Sequence, residues 1–174
     1  MLNASSGPEI IIASRIEAEG LLISSEIGAD IKHVISIGAP GDKTPAGFER
    51  RLSRIRLDFH DVTVDTAFEF GPSSRHVKSV IDFARAIEYQ GGRLLIHCEA
   101  GISRSSAAAL TVFAVWLGVG KEDEAVAKVY AVRPEAWPNS LFVELADQLL
   151  SRDGTLLDAL RKVQEEKYRQ YFFL

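Results

Sequence analysis

Cys98 and Arg104 are separated by five residues in the run Ile96-His97-Cys98-Glu99-Ala100-Gly101-Ile102-Ser103-Arg104-Ser105. The cysteine falls where an apolar, strand-like stretch (residues 93–97) ends, and the arginine where a helix-like stretch (residues 105–117) begins. A loop wrapping into a helix N-terminus turns its backbone N–H groups toward one point, and the helix dipole adds positive potential there. Glu99, Ala100, Gly101, Ile102, Ser103 and Arg104 are therefore the candidate cradle of a tetrahedral oxyanion. Gly101 permits backbone angles closed to other residues, and the planar fork of Arg104 can grip two oxygens at once. The field that holds an anion also favours a thiolate over a thiol, which makes Cys98 a nucleophile at neutral pH.

Two neighbours acquire roles from this arrangement. Ser105 can donate its hydroxyl hydrogen to the Cys98 sulfur and stabilise it as a leaving group when a covalent intermediate breaks down. His97 is read as ordering the loop through imidazole hydrogen bonds, because an ionised thiolate needs no base. A lone cysteine is ordinarily a buried small hydrophobe. Here cysteine, glycine, arginine and serine occur together at cradle spacing between strand and helix, and the bland reading has to explain all four.

The elements that must position these residues follow from periodicity. Residues 9–13 form a β-branched run, Ser14 is a plausible N-cap, and apolar spacing predicts a helix over residues 16–27. Residues 33–38 read as a second buried strand, and residues 52–57, from Leu52 on, as a third, with Ile55 and Leu57 facing one way and Arg54 and Arg56 the other. A long polar loop over residues 58–74 precedes a helix opened by Pro72 at its first turn and ending at Gly91-Gly92. The strand before Cys98 comes next, then the helix after it, apolar nearly all round and hence central. Three further helices are expected over residues 122–132, 140–150 and 156–168. This alternation predicts an α/β fold with a mainly parallel central sheet flanked by helices.

The run from His97 to Ser105 closely resembles the His-Cys-x5-Arg-Ser/Thr signature of the cysteine-based protein tyrosine phosphatase superfamily. Ala100 to Ser105 looks like the small dual-specificity branch. The resemblance is tight over these residues, and the order of elements fits the family over roughly residues 10–150. It implies the phosphatase-type (Cys-x5-Arg) fold and a two-step hydrolysis: Cys98 attacks phosphorus to form a phosphocysteine, and water then releases phosphate. It also implies that an aspartate on a separate loop protonates the leaving oxygen and later helps to activate the water. Asp58, Asp61 and Asp65 lie in or just before the long loop. Asp61 is favoured because it lies past the strand end and is followed by an apolar residue, Val62, able to anchor the loop; Asp58 is the second candidate and Asp65 the third.

Composition bounds the rest. The 174 residues, 47% hydrophobic and 25% charged, suit one folded domain, residues 1–174, with a core over about residues 9–152 and a C-terminal helix and aromatic tail over residues 153–174. A formal charge of −4 leaves no global field for nucleic acid or anionic lipid. The most apolar stretch, residues 107–119, is well short of the ~18–20 residues that span a bilayer. One cysteine and no basic-then-apolar leader suggest a cytoplasmic protein. His33, His60, His76 and His97 have no metal-ligand spacing, so neither metal nor cofactor is expected. Arg50, Arg51, Arg54 and Arg56 are a solvated face or a phosphoprotein-binding rim. Tyr168, Tyr171, Phe172 and Phe173 are read as a strip packing back on the domain, in a protein taken as a monomer. The leading expectation is a phosphomonoester hydrolase, a protein tyrosine or dual-specificity phosphatase acting on a phosphorylated protein. A binding-only phosphatase-like module is the alternative, and a sulfur transferase a remote third. Glu99, with Ile102 and Ser103 supplying no positive charge, argues against a polyanionic substrate.

Overall fold

The structure, a computed structural model, describes residues 7–51, 53–64 and 70–172, with nothing said of the Phe172 side chain. Leu52, Asp65 and Phe173 thus lie outside the described residues. Four strands, β1 (Glu9–Ala13), β2 (Ile31–Gly38), β3 (Ser53–Asp58) and β4 (Arg93–His97), form one sheet in the order β1-β4-β2-β3. Every pairing is parallel. Among the described residues six helices accompany them: α1 (Arg15–Ile23), α2 (Ser74–Ile87), α3 (Arg104–Leu117), α4 (Glu122–Val132), α5 (Ser140–Leu149) and α6 (Thr155–Phe172).

Both faces of a parallel sheet must be covered, and alternate side chains divide β2 and β4 between two cores. On one face Val34 and Leu95 pack with Ala18 and Leu22 of α1, Ile31 and Phe48. On the other Ile35, Ile37, Leu94 and Ile96 join the buried residues of α2 to α6. α3 is the central helix: residues 104–112 are all buried, and it packs against α2, α4 and α5. Leu156, Leu157, Ala159 and Leu160 bring the first half of α6 into this same core. Its start is held by the Asp147 carboxylate, which accepts from the N–H groups of Gly154, Leu156 and Leu157.

Element boundaries differ from expectation at identifiable places. α1 stops at Ile23, because residues beyond it turn into a short 3-10 segment, Gly28–Asp30. Ser14 caps α1 in a full capping box with Glu17, an arrangement typically giving ~1 kcal/mol. Pro72 lies outside α2, whose N-cap is Ser73. The arginine cluster is largely committed to the fold. Arg51 donates to the carbonyls of Leu22, Gly28 and Ile31, Arg54 pairs with Glu49 and sits over Phe48, and Arg56 pairs with Asp58. At the C-terminal end, α6 runs straight on and leaves Tyr171 exposed, so this part of the aromatic strip does not fold back. Among the described residues no helix is long and apolar enough to cross a membrane.

Candidate active site

The loop from Cys98 to Arg104 leaves the carboxyl end of β4 and enters α3, at the end of the sheet where open α/β folds bind ligands. Three of its carbonyls are bonded outward. The Glu99 carbonyl accepts from Arg15 N–H at 3.1 Å, Ile102 from Trp137 N–H at 2.9 Å, and Ser103 from Asn139 N–H at 3.3 Å. In a trans peptide the C=O and the next N–H point in opposite directions. Turning these carbonyls out therefore turns the N–H groups that follow them in. Gly101 makes the wrap possible: its φ is +72°, and a Cβ there would lie 2.5 Å from the Ser14 nitrogen and 2.6 Å from the Ala13 carbonyl carbon. The cradle is pressed against the β1–α1 junction, where only glycine fits.

Cys98 is buried at the floor, 2% exposed, with its sulfur 3.1 Å from the Ser105 hydroxyl. Arg104 is 7% exposed and donates through Nη1 to the Phe59 carbonyl at 3.0 Å. Its Nε is buried without a partner, a cost that an oxyanion in the cradle would relieve. The mouth on one side is a cleft of about 570 Å³ lined by Arg15, Ala39, Gly41, Asp42, Lys43, Glu99 and Arg104. Glu99 points out and pairs with Arg15 at 3.4 Å, which tempers its repulsion of anions.

His97 is buried at 1% exposure. Its Nε2 is 2.7 Å from the Ser36 hydroxyl and its Nδ1 3.4 Å from the Cys98 carbonyl. Burial above all, with Arg56, Arg15 and Arg104 acting in the same sense and the Cys98 carbonyl opposing them, pushes its pKa down to about 4. It is neutral at pH 7, as suits a residue that orders the loop.

Of the aspartates, Asp61 meets the cradle. Its Oδ1 accepts from the Ser103 hydroxyl at 2.7 Å and from Asn139 Nδ2 at 2.8 Å. Both donors address Oδ1, which leaves Oδ2 for a proton. Asp58 instead closes β3 in its ion pair with Arg56. The acid loop is held at two points: Phe59, which is fully buried, stacks on His76 and Phe142 and lends its carbonyl to Arg104, and Val62, half-buried against Gly71. Asn139, absent from the sequence reading, works at both ends of its amide: Oδ1 caps α5 at Phe142 N–H, 2.9 Å, while Nδ2 holds Asp61 and the Val62 carbonyl. The Pro138-Asn139-Ser140 start of a helix signals the cap; the bond across to Asp61 has no local signal. Among the described residues no three His, Cys, Asp or Glu side chains gather as a metal site.

No family model matches the chain. Similar proteins do. Dual specificity protein phosphatase 15 of Mus musculus is 29% identical over 143 residues, covering 82% of this chain and 55% of the relative. The Homo sapiens protein of that name is 30% identical over 136 residues, 78% of this chain and 41% of the relative. The chain thus spans about half the length of the curated relatives it matches. The crystal structure of DUSP15 superimposes with a TM-score of 0.59 at 25% identity, covering 92% of this chain and 93% of that one. That of human DUSP28 reaches 0.62 at 19% identity over 84% and 90%, a likeness of fold. These relatives and the shared fold support placing the chain in the cysteine-based protein tyrosine phosphatase superfamily, on its small dual-specificity branch.

Proposed function

We propose that this chain hydrolyses phosphate monoesters on proteins, acting on phosphotyrosine and extending to phosphoserine and phosphothreonine. The observation that carries the reading is what the Cys98–Ser105 loop gathers: the Cys98 sulfur 3.1 Å from the Ser105 hydroxyl, Arg104 with a buried, unpartnered Nε, and Asp61 bonded to Ser103. The Cys98 thiolate attacks phosphorus in line with the ester oxygen, the P–O bond breaks as the P–S bond forms, and Asp61 delivers its Oδ2 proton to the departing oxygen. The inward N–H groups and Arg104 take up the charge on the equatorial oxygens. In the second step Asp61, now ionised, accepts a proton from water as it attacks phosphorus, and the Ser105 hydroxyl steadies the returning thiolate.

In this reading residues 1–174 act as one phosphatase unit, monomeric and cytoplasmic, with no metal or cofactor called for. A binding-only role has no observation in its favour: Cys98, Arg104 and the candidate acid Asp61 are all present. The test is phosphate release from an aryl phosphate and from phosphotyrosine, phosphoserine and phosphoinositide substrates. Cys98→Ser is expected to abolish turnover while vanadate binding survives, because the amides and Arg104 remain. Unchanged turnover in that variant refutes the mechanism, and a preference for phosphoinositide refutes the substrate class.

A further inference from the structure

Toward the carboxyl end of the sheet, the α1 face carries three polar side chains in one row, where Val34 and Leu95 line it further in. Register places Arg56 of β3 beside Ser36 of β2, Ser36 beside His97 of β4, and His97 beside Ala13 of β1. Arg56 Nη1 donates to Ser36 Oγ at 2.9 Å, and Ser36 is fully buried. The far end of Arg56 is fixed too: Nε donates to Asp58 at 2.8 Å and Nη2 to the Asp42 carbonyl at 3.2 Å. The guanidinium passes so close to Gly38 that any Cβ there would overlap it. Such an arginine is oriented, not merely present.

Because Arg56 is donor only, Ser36 Oγ receives its hydrogen and keeps its own for His97 Nε2. The imidazole must then carry its proton on Nδ1, which faces the Cys98 carbonyl. The opposite tautomer would set a bare nitrogen against a carbonyl oxygen. An imidazole N–H on the Cys98 carbonyl turns that peptide so that the Glu99 N–H points the other way, into the cradle.

We propose that Ser36 and Arg56 are positioning residues for the cradle, holding the His97 tautomer and, through it, the orientation of the Cys98–Glu99 peptide. This rests on the phosphatase reading for its effect on turnover, but not for its effect on the thiolate. Two readouts on the full chain separate them: kcat/KM on p-nitrophenyl phosphate, and the rate of Cys98 alkylation by iodoacetamide at pH 6. Ser36→Ala is expected to lower both by about tenfold, the scale of one net hydrogen bond, and Ser36→Thr, which keeps the hydroxyl, to restore most of the loss. In a His97→Phe background, whose ring offers Ser36 no nitrogen, Ser36→Ala should cost less than about twofold. Arg56→Gln, whose shorter neutral amide cannot span the contacts to Ser36, Asp58 and Asp42, should slow alkylation in the same direction if Ser36→Ala fails to fold. Parental alkylation rates in Ser36→Ala, or in Arg56→Gln where that variant stands in, overturn the proposal, as does an equal fractional loss with and without His97. Absent turnover in the unmodified chain would instead refute the phosphatase reading and leave the alkylation result to decide this one.

Discussion

Expelling a phenolate, whose conjugate acid has a pKa of ~10, requires a proton in the transition state, and the general acid typically contributes ~10²–10⁴-fold. Asp61→Asn should therefore depress hydrolysis of phosphotyrosine by that order and spare a substrate with a nitrophenolate or fluorinated leaving group, while Asp58→Asn spares both. Steady-state rates across a leaving-group series read this directly; an exchange of phenotypes would move the acid to Asp58. Asn139 gives a sharper version. Asn139→Asp keeps an oxygen for the Phe142 N–H but sets a second carboxylate against Asp61, in place of the donor now at 2.8 Å. Its loss should likewise grow with leaving-group pKa, where a purely structural defect would lower all substrates alike. At this scale Cys98, Arg104, Ser105 and Asp61 could be singled out as candidates because their spacing or their place after a strand is local. Asn139 and Ser36 were not, since what each does depends on a partner more than sixty residues away.

Strands, and the helix that follows each, were legible where apolar runs are short and bounded, as at Glu9–Ala13 and Arg93–His97. Register was not, and register is what gathers Arg56, Ser36 and His97 into one row. It also turned an apparently solvated arginine cluster into caps and braces for carbonyls. The contact between the cradle and the β1–α1 junction belongs to this scale. Gly101→Ala forces a left-handed backbone angle on a residue with a Cβ, at ~1–2 kcal/mol, and drives that Cβ into Ala13 and Ser14. Vanadate affinity should fall by at least about tenfold and thermal stability with it. Parental vanadate binding would mean that the loop does not need this close approach.

A buried histidine kept neutral makes the whole molecule sensitive to acid. The unfolded chain binds a proton at His97 near pH 6.5, whereas the folded protein resists until about 4. Between those values the unfolded state holds more protons, so stability falls as pH drops through this window, by up to about 1.4 kcal/mol per pH unit for one group. His33 and His76, lowered mainly by burial, push in the same direction. Urea midpoints from pH 7 to 4 should show the decline, and His97→Gln should flatten it; an unchanged slope would assign it to other groups. The unequal covering of the sheet has a further consequence. Five helices share one core, whereas the opposite face is closed by α1 with the short 3-10 segment Phe48–Arg50, which supplies Phe48. Such a thin layer is the natural unit of sub-global opening. The amides of α1 should exchange with solvent at a lower free energy than those of α3. Since the cradle leans on Ser14 and Arg15, catalytic competence would fade at denaturant concentrations where the larger core still stands, and the loss of activity would run ahead of the loss of helix.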